Sequence, residues 1–155
     1  MKLWILCGVC VGGFLFMASC ASTDESRTGV QDGTLLPCPK APKCVSTQSE
    51  DERHRMEPLS YNGSLGEARD RILDIVQGME GFRVVTVETN YLYVQFRSKG
   101  LGFIDDVDFY FDGKRKIIHF RSSARFGYYD LKVNRNRMEY IADEFTRLTG
   151  SGAGG

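Results

Sequence analysis

From Phe82 to Ser122 the chain alternates apolar and polar residues in four short runs, and this pattern restricts the fold more than any other feature. Phe82 to Glu88 is rich in β-branched residues, Thr89-Asn90 supplies a turn, and Tyr91 to Ser98 follows. Phe103 to Phe111 ends on Asp112-Gly113, a strong hairpin signal, and Lys116 to Ser122 returns. A period of two puts Leu92, Val94, Phe96, Val107, Phe109, Phe111, Ile118 and Phe120 on one face. The opposite face receives Tyr91, Tyr93, Gln95, Arg97, Asp106, Asp108, Tyr110, His119 and Arg121. An antiparallel sheet with one apolar face needs a cover on that side.

Two helices can supply it. Ser64-x-x-Glu67 is a capping box, after which Ala68, Ile72, Ile75, Val76 and Met79 recur at helical spacing until Gly78 and Gly81 stop the run. A second helix is expected from about Asn134 to Leu148, with Met138, Ile141, Ala142, Phe145 and Leu148 inward. Arg135, Glu139, Asp143 and Arg147 are directed to water. The expected fold is α+β: a two-layer sandwich with an antiparallel sheet of about four strands and both helices on one face. A short strand within Met56 to Tyr61 can add to an edge. At 155 residues the chain suits one domain. Residues 1–19 read as a signal peptide, 20–34 as a tether, 35–149 as the domain and 150–155 as a disordered tail.

The N-terminal reading rests on Lys2 followed by the uncharged run Leu3 to Ala18, with Asp24, Glu25 and Arg27 soon after. The run closes on Met17-Ala18-Ser19-Cys20, which resembles the lipobox of bacterial lipoproteins, with Met17 where leucine is usual. That resemblance implies cleavage before Cys20, lipidation of its sulfur and stable membrane anchoring by more than one acyl chain. Ala21, rather than aspartate, follows the cysteine, which by the same resemblance implies an outer membrane, periplasm-facing, where the cell has two membranes. Ordinary cleavage near Ala18 to Ala21 and an uncleaved anchor are the alternatives. Cys7 and Cys10 lie in the discarded segment, so Cys38 and Cys44 remain, in a loop with Pro37, Pro39 and Pro42. An even remainder outside the cytoplasm reads as one structural disulfide. A zinc half-site needs more soft ligands than His54 and His119 offer, and a redox pair ordinarily has Cys-x-x-Cys spacing.

Lysine plus arginine equal aspartate plus glutamate at 20 each, which argues against a nucleic-acid partner. Two segments stand out: Arg97-Ser98-Lys99-Gly100-Leu101-Gly102-Phe103-Ile104-Asp105-Asp106-Val107-Asp108, and Arg121-Ser122-x-x-Arg125-x-Gly127-x-x-Asp130-x-x-x-Asn134-x-x-Arg137. Together with Cys38-Pro39-x-x-Pro42-x-Cys44-Val45-Ser46 they resemble a bacterial family known as domain of unknown function family 1499. The resemblance spans the whole mature domain and implies no defined activity. The chain departs from it at Lys43, Ala124 and Lys132, where asparagine, serine and glycine are usual.

Arg121 at a strand end, Arg125 in a Gly-containing loop and Arg137 in the first turn of a helix, with Asp130 and Asn134 between, offer guanidinium forks and free amides suited to carboxylate or phosphate oxygens. The plainer alternative is that Asp105, Asp106 and Asp130 neutralise these arginines in a structural network. Asp106 and Asp108 alternate onto one strand face, an arrangement open to calcium binding, to an acid/base pair, or to plain charge balance by His119 and Arg121 across the hairpin. His54 lies in a polar stretch and is expected to be exposed, and His119 is expected to be solvated on an open face. No Gly-x-Ser-x-Gly elbow is present. The expectation is an envelope lipoprotein without cofactor or metal that binds a small anionic ligand or an envelope component. A hydrolase or transferase using Asp106, Asp108 or His119, and a structural interaction protein using Tyr91, Tyr93 and Tyr110, are the competing readings.

Overall fold

The structure is a computed structural model describing residues 28–150, so residues 1–27, with the run read as a signal peptide and Cys20, and residues 151–155 lie outside the described residues. The alternating region forms a four-stranded meander: β5 (Phe82–Val87), β6 (Tyr91–Arg97), β7 (Ile104–Asp112) and β8 (Ile117–Ala124). Every pairing in it is antiparallel, with Val94 opposite Val107 and Phe109 opposite Phe120. β5 is the outer edge, and its register shifts between Val84 and Thr86. A bulge there twists the edge and discourages further strand addition.

The helices cover the apolar face as their stripes require. In α1 (Leu65–Gln77) the capping box is present: Ser64 Oγ accepts from the Glu67 amide and Glu67 Oε2 accepts from the Ser64 amide. α2 spans Val133–Gly150. Ile72, Val76, Met138, Ile141 and Phe145 meet Leu92, Val94, Phe109, Phe111 and Phe120 in a core whose largest side chains are excluded from water. Each contributes about 1.5–3 kcal/mol by its burial.

The sheet is larger than the alternation suggested. It has six strands rather than about four, because β3 (Cys44–Ser46) and β4 (Leu59–Ser60) pair one after the other along the other edge of β8. Strands of two and three residues are too short to show a period, so they escape a pattern reading. A separate two-stranded hairpin, β1 (Val30–Gln31) with β2 (Thr34–Leu35), occupies what reads as tether. It lies on the polar face of the sheet: Leu35 packs with Tyr91 and Tyr93. Gln48 fastens it, accepting from the Leu35 amide at 2.8 Å and donating to the Gly33 carbonyl at 2.8 Å. Gly33 (φ 79) passes so close to Tyr110 that an added Cβ would lie 3.3 Å from the hydroxyl.

Two expectations are reversed. His119 is only 8% exposed, its Nδ1 is 3.1 Å from Thr47 Oγ1, and its ring stacks with Tyr110. His54 is 3% exposed, with Nδ1 2.7 Å from the Cys44 carbonyl. The polarity of its sequence neighbours hid a residue that bridges the β3 strand to the segment after it. Cys38 and Cys44 form the disulfide, their Cα atoms 5.6 Å apart. Among the described residues no helix is long and apolar enough to cross a membrane, and no group of three or more His, Cys, Asp or Glu is placed to hold a metal ion.

Candidate functional site

The polar face carries two buried ion pairs, set by register. Across β6, β7 and β8, Tyr93, Asp108 and Arg121 are aligned, and one step along so are Gln95, Asp106 and Ser123. Asp108 accepts from the Tyr91 hydroxyl at 2.5 Å, from the Gly29 amide at 3.3 Å and from Arg121 Nη1 at 3.4 Å. Asp106 accepts from the Tyr93 hydroxyl at 2.7 Å and from the Arg125 fork, Nε to Oδ2 and Nη2 to Oδ1, at 2.8 Å each.

Burial governs the ionisation of this face. It pushes Asp108 up to about 6, against the lowering effects of the Tyr91 hydrogen bond and the Arg121 charge. It also raises the phenols of Tyr91 and Tyr93 and lowers His119. Arg125 is held firmly charged, first by its hydrogen bonds to Asp106. Asp106 and Asp108 are 2% and 1% exposed, so solvent-borne substrate does not touch either carboxylate in this conformation. His119 bonds to Thr47 instead of either aspartate, and the three residues do not form an acid/base set.

Arg137 lies on the other side of the sheet. Successive side chains of a strand point to opposite faces, so Asp105 and Asp106 must find partners in different layers. Asp105 accepts from Arg137 Nη2 at 2.6 Å, while the Arg137 guanidinium lies 4.6 Å from the Phe96 ring centroid. Arg137 Nη1 also donates to Asn134 Oδ1 at 2.8 Å and Ser122 Oγ at 3.2 Å. Asn134, fully buried, accepts from Ser122 and donates to Asp130 Oδ2 and the Lys43 carbonyl. Asp130 in turn caps α2, accepting from the Lys132 and Asn134 amides. The five residues of the motif therefore divide: Arg121 and Arg125 hold the polar face, while Asp130, Asn134 and Arg137 lock the start of α2 to β8 and the cysteine loop. They do not converge on a common ligand position.

A different cluster gathers beside that lock. A cleft of about 150 Å³ opens between the cysteine loop and the start of α2, lined by Pro42, Arg53, Tyr129, Asp130, Lys132 and Arg135 among others. Asp130 spends both oxygens on amides of the α2 cap. Arg53 is paired with exposed Asp51, which that pairing lowers to about 2. Arg135 Nη2 donates to the Arg53 and Arg55 carbonyls, and among the described residues neither it nor Lys132 has a carboxylate partner. Lys132 sits at φ 63 and Leu131 at φ 54, a left-handed conformation that costs a side-chain-bearing residue about 1–2 kcal/mol. Arg53 and Arg135 gave no sequence signal, since each reads as a solvated charge. Lys132 gave one: it stands where glycine is usual in the pattern the chain resembles, and the backbone there has the conformation glycine favours.

Residues 34–145 match the model of a family described as "Protein of unknown function (DUF1499)". No curated protein matches the chain.

Proposed function

Since the chain belongs to the DUF1499 family, we propose that it is a lipid-anchored, non-catalytic binding protein of the bacterial cell envelope that recognises an anionic group. Cys20 carries the anchor, and the recognition site is the cleft of Arg53, Lys132 and Arg135 rather than the Arg121, Arg125 and Arg137 set. The carrying observation is charge: three cationic side chains and Tyr129 line one cleft whose only lining carboxylate, Asp130, is committed to the helix cap. Guanidinium and ammonium groups beside a helix start suit carboxylate or phosphate oxygens. The sheet network instead has the features of a structural element, with each buried aspartate matched to an arginine and a tyrosine.

Titration of the protein with inorganic phosphate, followed by amide chemical shifts, tests this. Shifts concentrated in Tyr129 to Arg135 and in Arg53 are expected at millimolar phosphate. Lys132→Gly should weaken them several-fold while leaving stability unchanged or raised by up to about 1 kcal/mol, because glycine adopts the left-handed backbone without strain. Phosphate-induced shifts that stay the same in Lys132→Gly, or that map to the Asp106 and Asp108 face, would overturn the assignment.

A further inference from the structure

The end of the sheet that holds the cleft also carries the most exposed apolar side chains. The β6–β7 loop presents Leu101, and the β8–α2 loop presents Phe126, Tyr128 and Leu131, which are 76, 71, 75 and 77% exposed. The two loops form one surface, since Phe103 stacks on Phe126 with ring centroids 5.4 Å apart and the Arg125 amide donates to the Ile104 carbonyl. Clustered apolar side chains at loop tips are unfavourable to leave in water, and a large exposed patch of them marks an interaction surface.

Charge selects the partner. Five carboxylates at this end are engaged: Glu80 with Lys99, Asp51 with Arg53, Asp105 with Arg137, Asp106 with Arg125, and Asp130 with the α2 amides. Among the described residues Lys43, Arg97, Lys132 and Arg135 have no carboxylate partner, so four cations at the end that carries the apolar tips are not neutralised by an ion pair. Distance permits it. Eight residue steps separate Cys20 from Thr28, and at roughly 3.3–3.6 Å each they reach at most about 26–29 Å. The chain enters the fold where the Gly29 amide meets Asp108, four residues along β7 from Ile104, or about 13 Å from the loop end. An anchor at Cys20 therefore leaves this end, like the Asp112 end, within reach of the bilayer, and charge and exposed apolar side chains distinguish the two.

We propose that the loop end is a membrane-docking surface for an anionic bilayer, with Leu101, Phe126, Tyr128 and Leu131 entering the interface and Lys43, Arg97, Lys132 and Arg135 facing lipid phosphates. It rests on the anchored, anion-binding reading above and names the source of the anion as a phospholipid headgroup. Apolar side chains plus cations are the combination that binds a protein in the plane of an anionic interface.

The test uses the protein as its host processes it, in vesicles containing anionic lipid, with bromine on the acyl chains as a contact quencher. Trp4→Phe removes the native tryptophan from any uncleaved chain, and Phe126→Trp places a single reporter at the loop end. Lys114→Trp, in the turn at the opposite end of the sheet, is the matched control. Quenching at position 126 about threefold or more above that at position 114 is expected, falling when Lys132 and Arg97 are both changed to Gln. Equal quenching at the two positions, none at position 126, or undiminished quenching in purely zwitterionic vesicles would overturn the docking surface. A protein partner at this end would show itself as an unquenched reporter. The mass of the Cys20 peptide separates the two failures: lipid on Cys20 with an unquenched reporter sinks the docking alone, and an unmodified Cys20 sinks the anchor.

Discussion

Removing Arg125 discriminates between a structural and a ligand-holding role for the motif arginines. In Arg125→Ala the Asp106 carboxylate, with a side chain 3% exposed, loses the paired Nε and Nη2 donors and keeps the Tyr93 hydroxyl. Breaking a buried pair by deleting one partner costs about 3–5 kcal/mol. Arg125 is itself 34% exposed, so water enters where it stood and solvates part of the stranded charge. That lowers the expected cost to about 2–3 kcal/mol. At roughly 3–6 °C per kcal/mol for a domain of this size, the melting temperature falls by about 10 °C. Thermal melts and urea titrations near neutral pH measure it. Asp106→Asn with Arg125→Ala should recover much of the loss, because an amide costs far less to bury than an unpaired carboxylate. The coupling between the two positions is then about 1.5 kcal/mol or more. A melting temperature within about 2 °C of the parent, or a coupling below about 0.5 kcal/mol, refutes the reasoning.

Asp108 should shape the stability profile with pH. Its folded-state value of about 6 lies above the usual 3.8, so the native protein holds a proton that the unfolded chain has already released. The stabilisation is complete below about pH 4 and is lost as pH rises through about 6, on the order of 3 kcal/mol at most. Urea titrations at pH 4.5 and 7 should show this fall superposed on the opposite trend from the lowered carboxylates of Glu67, Asp112 and Glu144. In Asp108→Asn the fall should vanish, and an unchanged profile would exclude Asp108 as its source. Asn134→Ala leaves Ser122, Lys43 and Arg137 short of partners in a fully buried position. A loss of about 2–4 kcal/mol is expected from urea unfolding, and a loss under about 1 kcal/mol would show the α2 lock to be dispensable. For Cys20, mass spectrometry of the mature N-terminal peptide should find a lipid-modified cysteine, absent in Cys20→Ala; an unmodified parent peptide rules the anchor out.

What the sequence alone determined is what depends on neighbours along the chain. The period of two across Tyr91 to Ser122 specified the meander and its apolar face, and Ser64 with Glu67 specified the start of α1, because pleat and cap are decided within a few residues. The parity of Asp105 and Asp106 was equally readable, yet its consequence was not: the two carboxylates take Arg137 and Arg125 from opposite layers, and only the placement of α2 decides which arginine is on which side. The burial of Tyr91, Tyr93, Asp108 and His119 was decided by tertiary structure, since a face of tyrosines and charges reads equally as open or as covered until its cover is known. That cover is a hairpin of two-residue strands and a Gln48 clamp, drawn from residues too irregular to carry a period. The cleft is the extreme case. Arg53 and Arg135 are 82 positions apart and meet because the Arg135 guanidinium donates to the Arg53 carbonyl. A hydrogen bond between distant segments leaves no mark on either one, because its energy depends on a separation in space that only the folded chain creates.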